Sequence, residues 1–321
     1  MIRSCLYLPD GRLETNLPTE RFKDVLQHPD WLLWVDIQDP SDGDVECLLE
    51  VFALHPLTVE DCIMPNLRPK LEEFETYLFI VLQGVRRNGQ GRLMPLELDS
   101  CLGRNFLITV QSEPIKSIDD IWVRIEKKSP LIKRGADFLF YSIADSLIDS
   151  YFPVVDEVEM KVDELEARLL TDSTKSALAE LFAIYNELML LRRILAPHRE
   201  ILNRLNRGDL SFISPSNALY FRDIYDHLLR MTDLVDGCRE LTTMALEAYA
   251  TIVSNRLNEI MKTLTAMATL TAPLVLITGI YGMNFSEHPE LGSRNLYHAI
   301  SLALLLSVPA MFYYFRKYRW L

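Results

Sequence analysis

Two stretches of this chain, residues 263–286 and 296–315, contain no Asp, Glu, Lys or Arg. They run for 24 and 20 mostly apolar residues. A helix rising about 1.5 Å per residue needs roughly 20 such residues to cross a hydrocarbon core about 30 Å thick. The pattern therefore predicts a two-helix membrane hairpin at the C-terminal end, with the rest of the 321 residues outside the bilayer.

The charge divides at the same place. Beyond residue 255 stand Arg256, Lys262, Arg294, Arg316, Lys317 and Arg319 against Glu259, Glu287 and Glu290, a surplus of +3. The whole chain carries −12, so residues 1–255 hold −15. A surface that acidic repels a phosphate backbone, so nucleic acid is not an expected partner. It attracts cations and serves solubility equally well.

Cys5, Cys47, Cys62, Cys101 and Cys238 are scattered without a CxxC pair. That pattern fits a reducing compartment and gives no evidence for a disulfide framework or a zinc knuckle. The apolar stretch at the N-terminus is too short for a secretory signal, so residues 1–255 are predicted to stay in the cytosol. Basic residues flank the hairpin on both outer sides, while only Arg294 lies between the spans, beside Glu287 and Glu290. The positive-inside bias places both termini in the cytoplasm and a loop, roughly 283–295, outside the inner (plasma) membrane. Tyr313, Tyr314, Tyr318 and Trp320 fit an interfacial aromatic belt.

In the soluble part, 1–8, 31–37, 70–75, 77–86, 95–103 and 105–111 read as strands. Helices are expected over 41–54 (capped by Ser41 or Asp42), 56–64 and 117–129. Together they predict a cytosolic α/β domain over 1–135. His28 and His55, each followed by Pro, read as loop or cap residues. No phosphate-binding glycine loop, nucleophile–base pair or metal-ligand cluster is legible, so neither an enzyme nor a prosthetic group is expected.

From residue 136 the pattern is helical. Val154, Val155, Val158, Val162, Leu165 and Leu169 keep three-to-four spacing, predicting a helix over 136–170. After a turn capped by Ser173 or Thr174, a second helix runs to about 207. The two form a coiled hairpin over 136–210 whose acidic residues are a solvated face. After Pro215 the next proline is Pro273, so one helix is predicted from about 216 to 281, close to 100 Å long. Its cytosolic stalk spans 211–262 and the transmembrane hairpin 263–321. A helix of that length needs lateral partners. The fold class is an α+β multidomain membrane protein.

Two membrane helices cannot enclose a water-filled path. If they line one, identical chains must close as a ring around an axis. Stepping from Asn258 by three or four gives Met261, Leu264 or Thr265, Ala268, Ala272, Val275 and Gly279, ending near Asn284. Such a stripe of small or weakly polar residues suits a narrow conduit and suits close helix packing equally. The second span, rich in Leu and aromatics, reads as the lipid-facing helix. With no acid in either span, a divalent cation would pass largely hydrated, which favours Mg²⁺ because it sheds water reluctantly.

Tyr281-Gly282-Met283-Asn284-Phe285 closes the first span, and His288-Pro289-Glu290-Leu291 follows. With His55-Pro56-Leu57-Thr58-Val59-Glu60-Asp61-Cys62 and Arg68-Pro69-Lys70-Leu71-Glu72, these motifs resemble the CorA family of divalent-cation channels. The resemblance covers most of the chain. It implies a homopentamer in the bilayer that carries Mg²⁺, Co²⁺ or Ni²⁺. Gly282, Met283 and Asn284 would form the outer mouth, in a loop that includes Glu287, His288 and Glu290. Asn258, Met261 and Leu264 would form the cytosolic constriction, and Asp61, Asp223 and Glu247 would contribute to regulatory metal binding. His288, Ser286, Ala272 and Val275 depart from the family pattern, and a His near the mouth suits Zn²⁺. Zinc transport of the ZntB type is therefore the alternative, and a non-conducting membrane-anchored interaction protein is the third reading.

Overall fold

A computed structural model describes the chain except residues 65–67, 128–129, 170–174, 284–293 and 318–321. The chain divides into two compact units, Met1–Ala245 and Leu246–Leu321.

The first unit is built on seven strands: β1 (Ile2–Tyr7), β2 (Leu13–Thr15), β3 (Leu32–Gln38), β4 (Lys70–Glu73), β5 (Tyr77–Arg87), β6 (Leu93–Gly103) and β7 (Phe106–Gln111). They form one sheet in the order β2-β1-β3-β7-β6-β5-β4. Among the described strands only β3 and β7 pair in parallel, so the sheet is mixed. Short helices α1 (Phe22–Val25), α2 (Asp42–Glu50) and α3 (Pro56–Ile63) precede β4, and α4 (Lys116–Glu126) follows β7. Then come α5 (Ala136–Asp149), α6 (Phe152–Leu169), α7 (Lys175–Arg207) and α8 (Pro215–Tyr281).

Alternate residues along each strand point to opposite faces, and both faces are covered. On one, Leu33, Val35, Phe79, Val81, Cys101 and Ile108 join a core with Leu48, Phe52, Val59 and Cys62 of the α2–α3 region. On the other, Trp34 stacks on Trp122 of α4 with ring centroids 4.3 Å apart. α4 buries Ile118, Ile121, Trp122 and Ile125, a helical stripe. Asp36, fully enclosed there, accepts hydrogen bonds from Arg3 at 2.7 Å and the Thr109 hydroxyl at 2.7 Å. Burial nonetheless pushes its carboxyl above the ordinary range.

The capping signals behave as their chemistry requires. The Asp44 carboxylate accepts from the Ser41 N–H and hydroxyl, both at 2.8 Å, closing the start of α2. His55 caps α3, its Nδ1 accepting from the Leu57 N–H at 3.2 Å, and His28 stacks on Trp31.

Sequence periodicity misplaced one boundary. The helix predicted over 136–170 is two, α5 and α6, separated at Ser150–Tyr151. Pro153 has no N–H to donate to Asp149, so the ladder stops and α6 starts afresh with proline in its first turn. Tyr151, fully buried at the break, donates its hydroxyl to the Gln83 carbonyl. The predicted cap at Ser173 or Thr174 lies outside the described residues. β2 and α1 were not expected from the sequence, being three and four residues long.

Helix α6 pairs antiparallel with α7: Lys161 bridges Glu187, and Arg168 bridges Glu180. Helix α8 has the expected extent, 67 residues. It begins with Pro215 in its first turn, and Asp137 of α5 accepts from the preceding Ser214 at its N–H (2.9 Å) and hydroxyl (2.7 Å).

The second unit contains the C-terminal part of α8 and α9 (Arg294–Lys317). Among the described residues, three helical stretches are long and apolar enough to cross a membrane. The apolar window of Ala136–Arg168 is 56% buried, as a core helix requires, whereas those in α8 and His298–Lys317 are only 6% buried.

Candidate functional site

Within the second unit, Ala266 is fully buried and Leu270, Leu274, Ile277 and Tyr281 are half-buried. On α9, Phe315 is buried and Ile300, Leu304, Ser307 and Met311 are half-buried. Both sets repeat every three or four residues, the spacing of two helices that face each other. The predicted stripe residues Asn258, Met261, Leu264, Thr265, Ala268, Ala272, Val275 and Gly279 are all exposed. At about 100° per residue, their line lies roughly 180° around α8 from the covered positions. The stripe is thus the face that α9 leaves open.

The stripe carries no charged side chain, and Asn258 and Thr265 are its polar members. The Thr263, Thr269, Thr271 and Thr278 hydroxyls donate to carbonyls within α8, which satisfies them inside an apolar helix. Thr265, on the stripe, makes no such bond among the described residues, so its hydroxyl is free for a water molecule. Gly282 ends α8: its N–H donates to the Thr278 carbonyl at 2.9 Å. A Cβ there would lie 3.0 Å from that same oxygen. Met283 is half-exposed at 51%. Asn284, Glu287, His288 and Glu290 lie outside the described residues.

In the first unit, α5 and α8 bring together a group that sequence reasoning missed. One ligand atom each of Asp145, Asp149 and His227 lies within 4.8 Å of the others. His227 Nδ1 is 3.3 Å from an Asp149 oxygen. Asp145 is half-buried, and its carboxyl is pushed up to about 6, first by burial, then by the Asp149 charge, with Asp223 adding to the effect and His227 opposing it. Tyr141, one turn earlier, is pushed up to about 12 by burial and by Asp145 and Asp223. Two Asp residues four apart on α5 and an Asp–His pair four apart on α8 each present one helix face. Carboxylate oxygens and an imidazole nitrogen form a donor set for a divalent cation, with the nitrogen favouring the transition metals.

The three residues assigned to regulation from the resemblance have different surroundings. Asp223 adjoins this cluster electrostatically. Asp61 is bound instead by the Lys70 ammonium, Nζ to Oδ2 at 2.6 Å, and Lys70 also reaches Glu72 at 3.1 Å. Glu247 lies exposed on α8 in the second unit. The missed signal was local on each helix, Asp145/Asp149 and Asp223/His227 at i,i+4. Only packing of α5 on α8 shows that the two faces meet.

The chain thus combines, in its first unit, a mixed sheet packed on helices and, in its second, exposed apolar helical stretches long enough to cross a membrane. The sequence profile of the CorA family, described as CorA-like Mg2+ transporter protein, matches residues 30–317. YfjQ of Bacillus subtilis (strain 168) is 33% identical over 322 aligned residues, 100% of this chain and 98% of its own. The cobalt/magnesium transport protein CorA of Thermotoga maritima is 34% identical over 291 residues, 90% of this chain and 83% of its own. The complete structure of the CorA magnesium transporter from Methanocaldococcus jannaschii shares the fold, with a TM-score of 0.81 at 23% identity, covering 100% of this chain and 99% of that one. The chain belongs to the CorA family of divalent metal ion transporters, a family of transporters rather than enzymes.

Proposed function

We propose that the chain assembles as a homopentamer in the inner membrane and conducts Mg²⁺, with Co²⁺ and Ni²⁺ as further cargo, through a path lined by the first span of each subunit. Two spans per chain, α8 from residue 263 and α9, carry both termini on the cytoplasmic side. Asn284 forms the outer mouth with Gly282 and Met283, where amide oxygens hold a cation through its waters. Met261 and Leu264 form a hydrophobic constriction that stops conduction by dewetting. The Asp145–Asp149–His227 cluster, with Asp223 beside it, binds cytosolic metal and reports its concentration.

The observation that carries this reading is the open face of α8: exposed, lacking any carboxylate, and opposite the face turned toward α9. A dehydrated divalent ion needs several oxygen ligands, so a carboxylate-free path suits an ion that keeps its water. The cargo named for the Thermotoga maritima relative supports magnesium and cobalt. The test is metal-resolved flux through the purified protein in liposomes, with Mg²⁺, Co²⁺, Ni²⁺ and Zn²⁺ supplied in turn. Mg²⁺ flux that Asn284→Ala abolishes at equal protein content is expected. Zn²⁺ flux without Mg²⁺ flux would move the assignment to zinc transport, and no flux of any ion would leave a membrane-anchored interaction protein.

A further inference from the structure

The edge strand β4 and helix α7 enclose a cavity of about 370 Å³ in the first unit. It is basic, although residues 1–255 carry −15 overall. Arg204 projects from α7, and its Nη1 donates to the Leu71 carbonyl on the outer edge of β4 at 3.2 Å. That bond fixes the guanidinium along the strand, and its remaining N–H groups have no partner among the described residues. Arg68, on the approach to β4, is exposed and lines the same cavity. It too has no ion-pair partner among the described residues. Lys70 also borders the space, but Asp61 and Glu72 already neutralise it.

Glu200, exposed on α7 one turn before Arg204, lines the same cavity and makes no ion pair with Arg204 among the described residues. Buried Leu71 and Ile201 supply an apolar floor. Guanidinium groups match phosphate oxygens with paired, directed N–H donors. A carboxylate can only accept hydrogen bonds, so Glu200 suits a hydroxyl on the same ligand. The volume lies in the range of small-molecule sites and exceeds what inorganic phosphate would fill.

We propose that the β4–α7 cavity binds a phosphate monoester with a hydroxylated body, a sugar phosphate or nucleotide, its phosphate on Arg68 and Arg204 and a hydroxyl on Glu200. The site stands independently of the transport reading, because its test measures binding and not flux. Ribose 5-phosphate and adenosine 5′-monophosphate are titrated calorimetrically into the full-length protein in detergent, with ribose and inorganic phosphate as references. At least one monoester should bind more tightly than inorganic phosphate, and ribose should not bind. Arg68→Ala, which removes no hydrogen bond or ion pair among the described residues, should weaken binding by about tenfold or more, as loss of a charge-assisted pair predicts. Arg204→Lys should do the same, because it keeps the charge and loses the fork. Glu200→Gln should reduce the preference of the site for the monoester over inorganic phosphate. Failure of both monoesters to bind, or binding that Arg68→Ala and Arg204→Lys leave unchanged, overturns the proposal. Inorganic phosphate binding as tightly as both monoesters removes the assigned role of Glu200 and with it the ligand class.

Discussion

His227 and Asp149 meet across two helices, ring nitrogen to carboxylate oxygen at 3.3 Å, with the Asp145 carboxyl completing a three-sided group. Asp145 releases its proton only near pH 6, and a metal must displace that proton to use the carboxylate. Metal affinity at the cluster should therefore be level above about pH 7. It should fall as the pH drops below 6, as competition between protons and the metal for the ligand atoms requires. Co²⁺ titrations between pH 5 and 8 measure this. Asp145→Asn should weaken binding at every pH and flatten the profile below 6; a parent profile already flat there would remove Asp145 from the ligand set.

Thr265 is the stripe threonine whose hydroxyl does not bond back to its own helix. In a path that carries hydrated cations, that hydroxyl faces the water shell. Thr265→Val keeps the shape of the side chain and removes the donor. Mg²⁺ flux should drop by about two- to tenfold, the worth of one hydrogen bond, with assembly unchanged by gel filtration. Thr269→Val, whose parent hydroxyl is spent on the Thr265 carbonyl at 2.7 Å, should cost less. Equal flux for the parent and both variants would contradict a stripe facing the ion path.

What the sequence disclosed and what it hid follow from sequence distance. The two uncharged runs, the unbroken helix through Pro273, and the cap at Ser41 are local patterns, and each has a counterpart in the structure. The break before Phe152 was also local, but the apolar spacing from Val154 onward outweighed the Pro153 signal. Long-range pairings were beyond reach: Asp145 meets His227 across 82 positions of sequence, and Arg204 covers Leu71 from 133 positions away. Asp61 shows the same limit at close range. Its identity as an acid suited a metal site, and only the fold shows Lys70 already occupying it.

His198, wholly enclosed on α7, accepts a hydrogen bond from the Gln83 N–H at 2.9 Å. Burial pushes its ring down to about 4. The unfolded chain takes up a proton near pH 6.5 while the folded chain resists until about 4. Stability from this group is thus complete above about 6.5 and is lost as the pH falls toward 4. Asp145, pushed up to about 6, acts oppositely: its folded form holds a proton the unfolded chain has released, so stability declines as pH rises from about 4 to 6. His198→Gln keeps an acceptor for Gln83 and cannot titrate. Its melting temperature relative to the parent should rise as the pH is lowered from 7 to 5, and a constant difference would count against an uncharged buried His198.

Gly279 and Gly282 separate what the single chain requires from what neighbouring copies require. Around Gly279 nothing lies within 4 Å of an added Cβ, so the isolated subunit has room for a side chain there. At Gly282 the added atom would lie 3.0 Å from the Thr278 carbonyl, closer than most real Cβ contacts, so the last turn of α8 must give. Gly282→Ala should therefore lower transport through the subunit's own helix end, with the oligomer still forming. Gly279→Val has no cause to disturb one chain, since both helical and span propensities tolerate Val. If five copies of the stripe converge on an axis, its added methyl groups crowd that axis and should weaken assembly or block flux. Crosslinking and flux measured together on Gly279→Val decide the matter: full flux from an intact oligomer would mean that the small-residue face of α8 does not line the path.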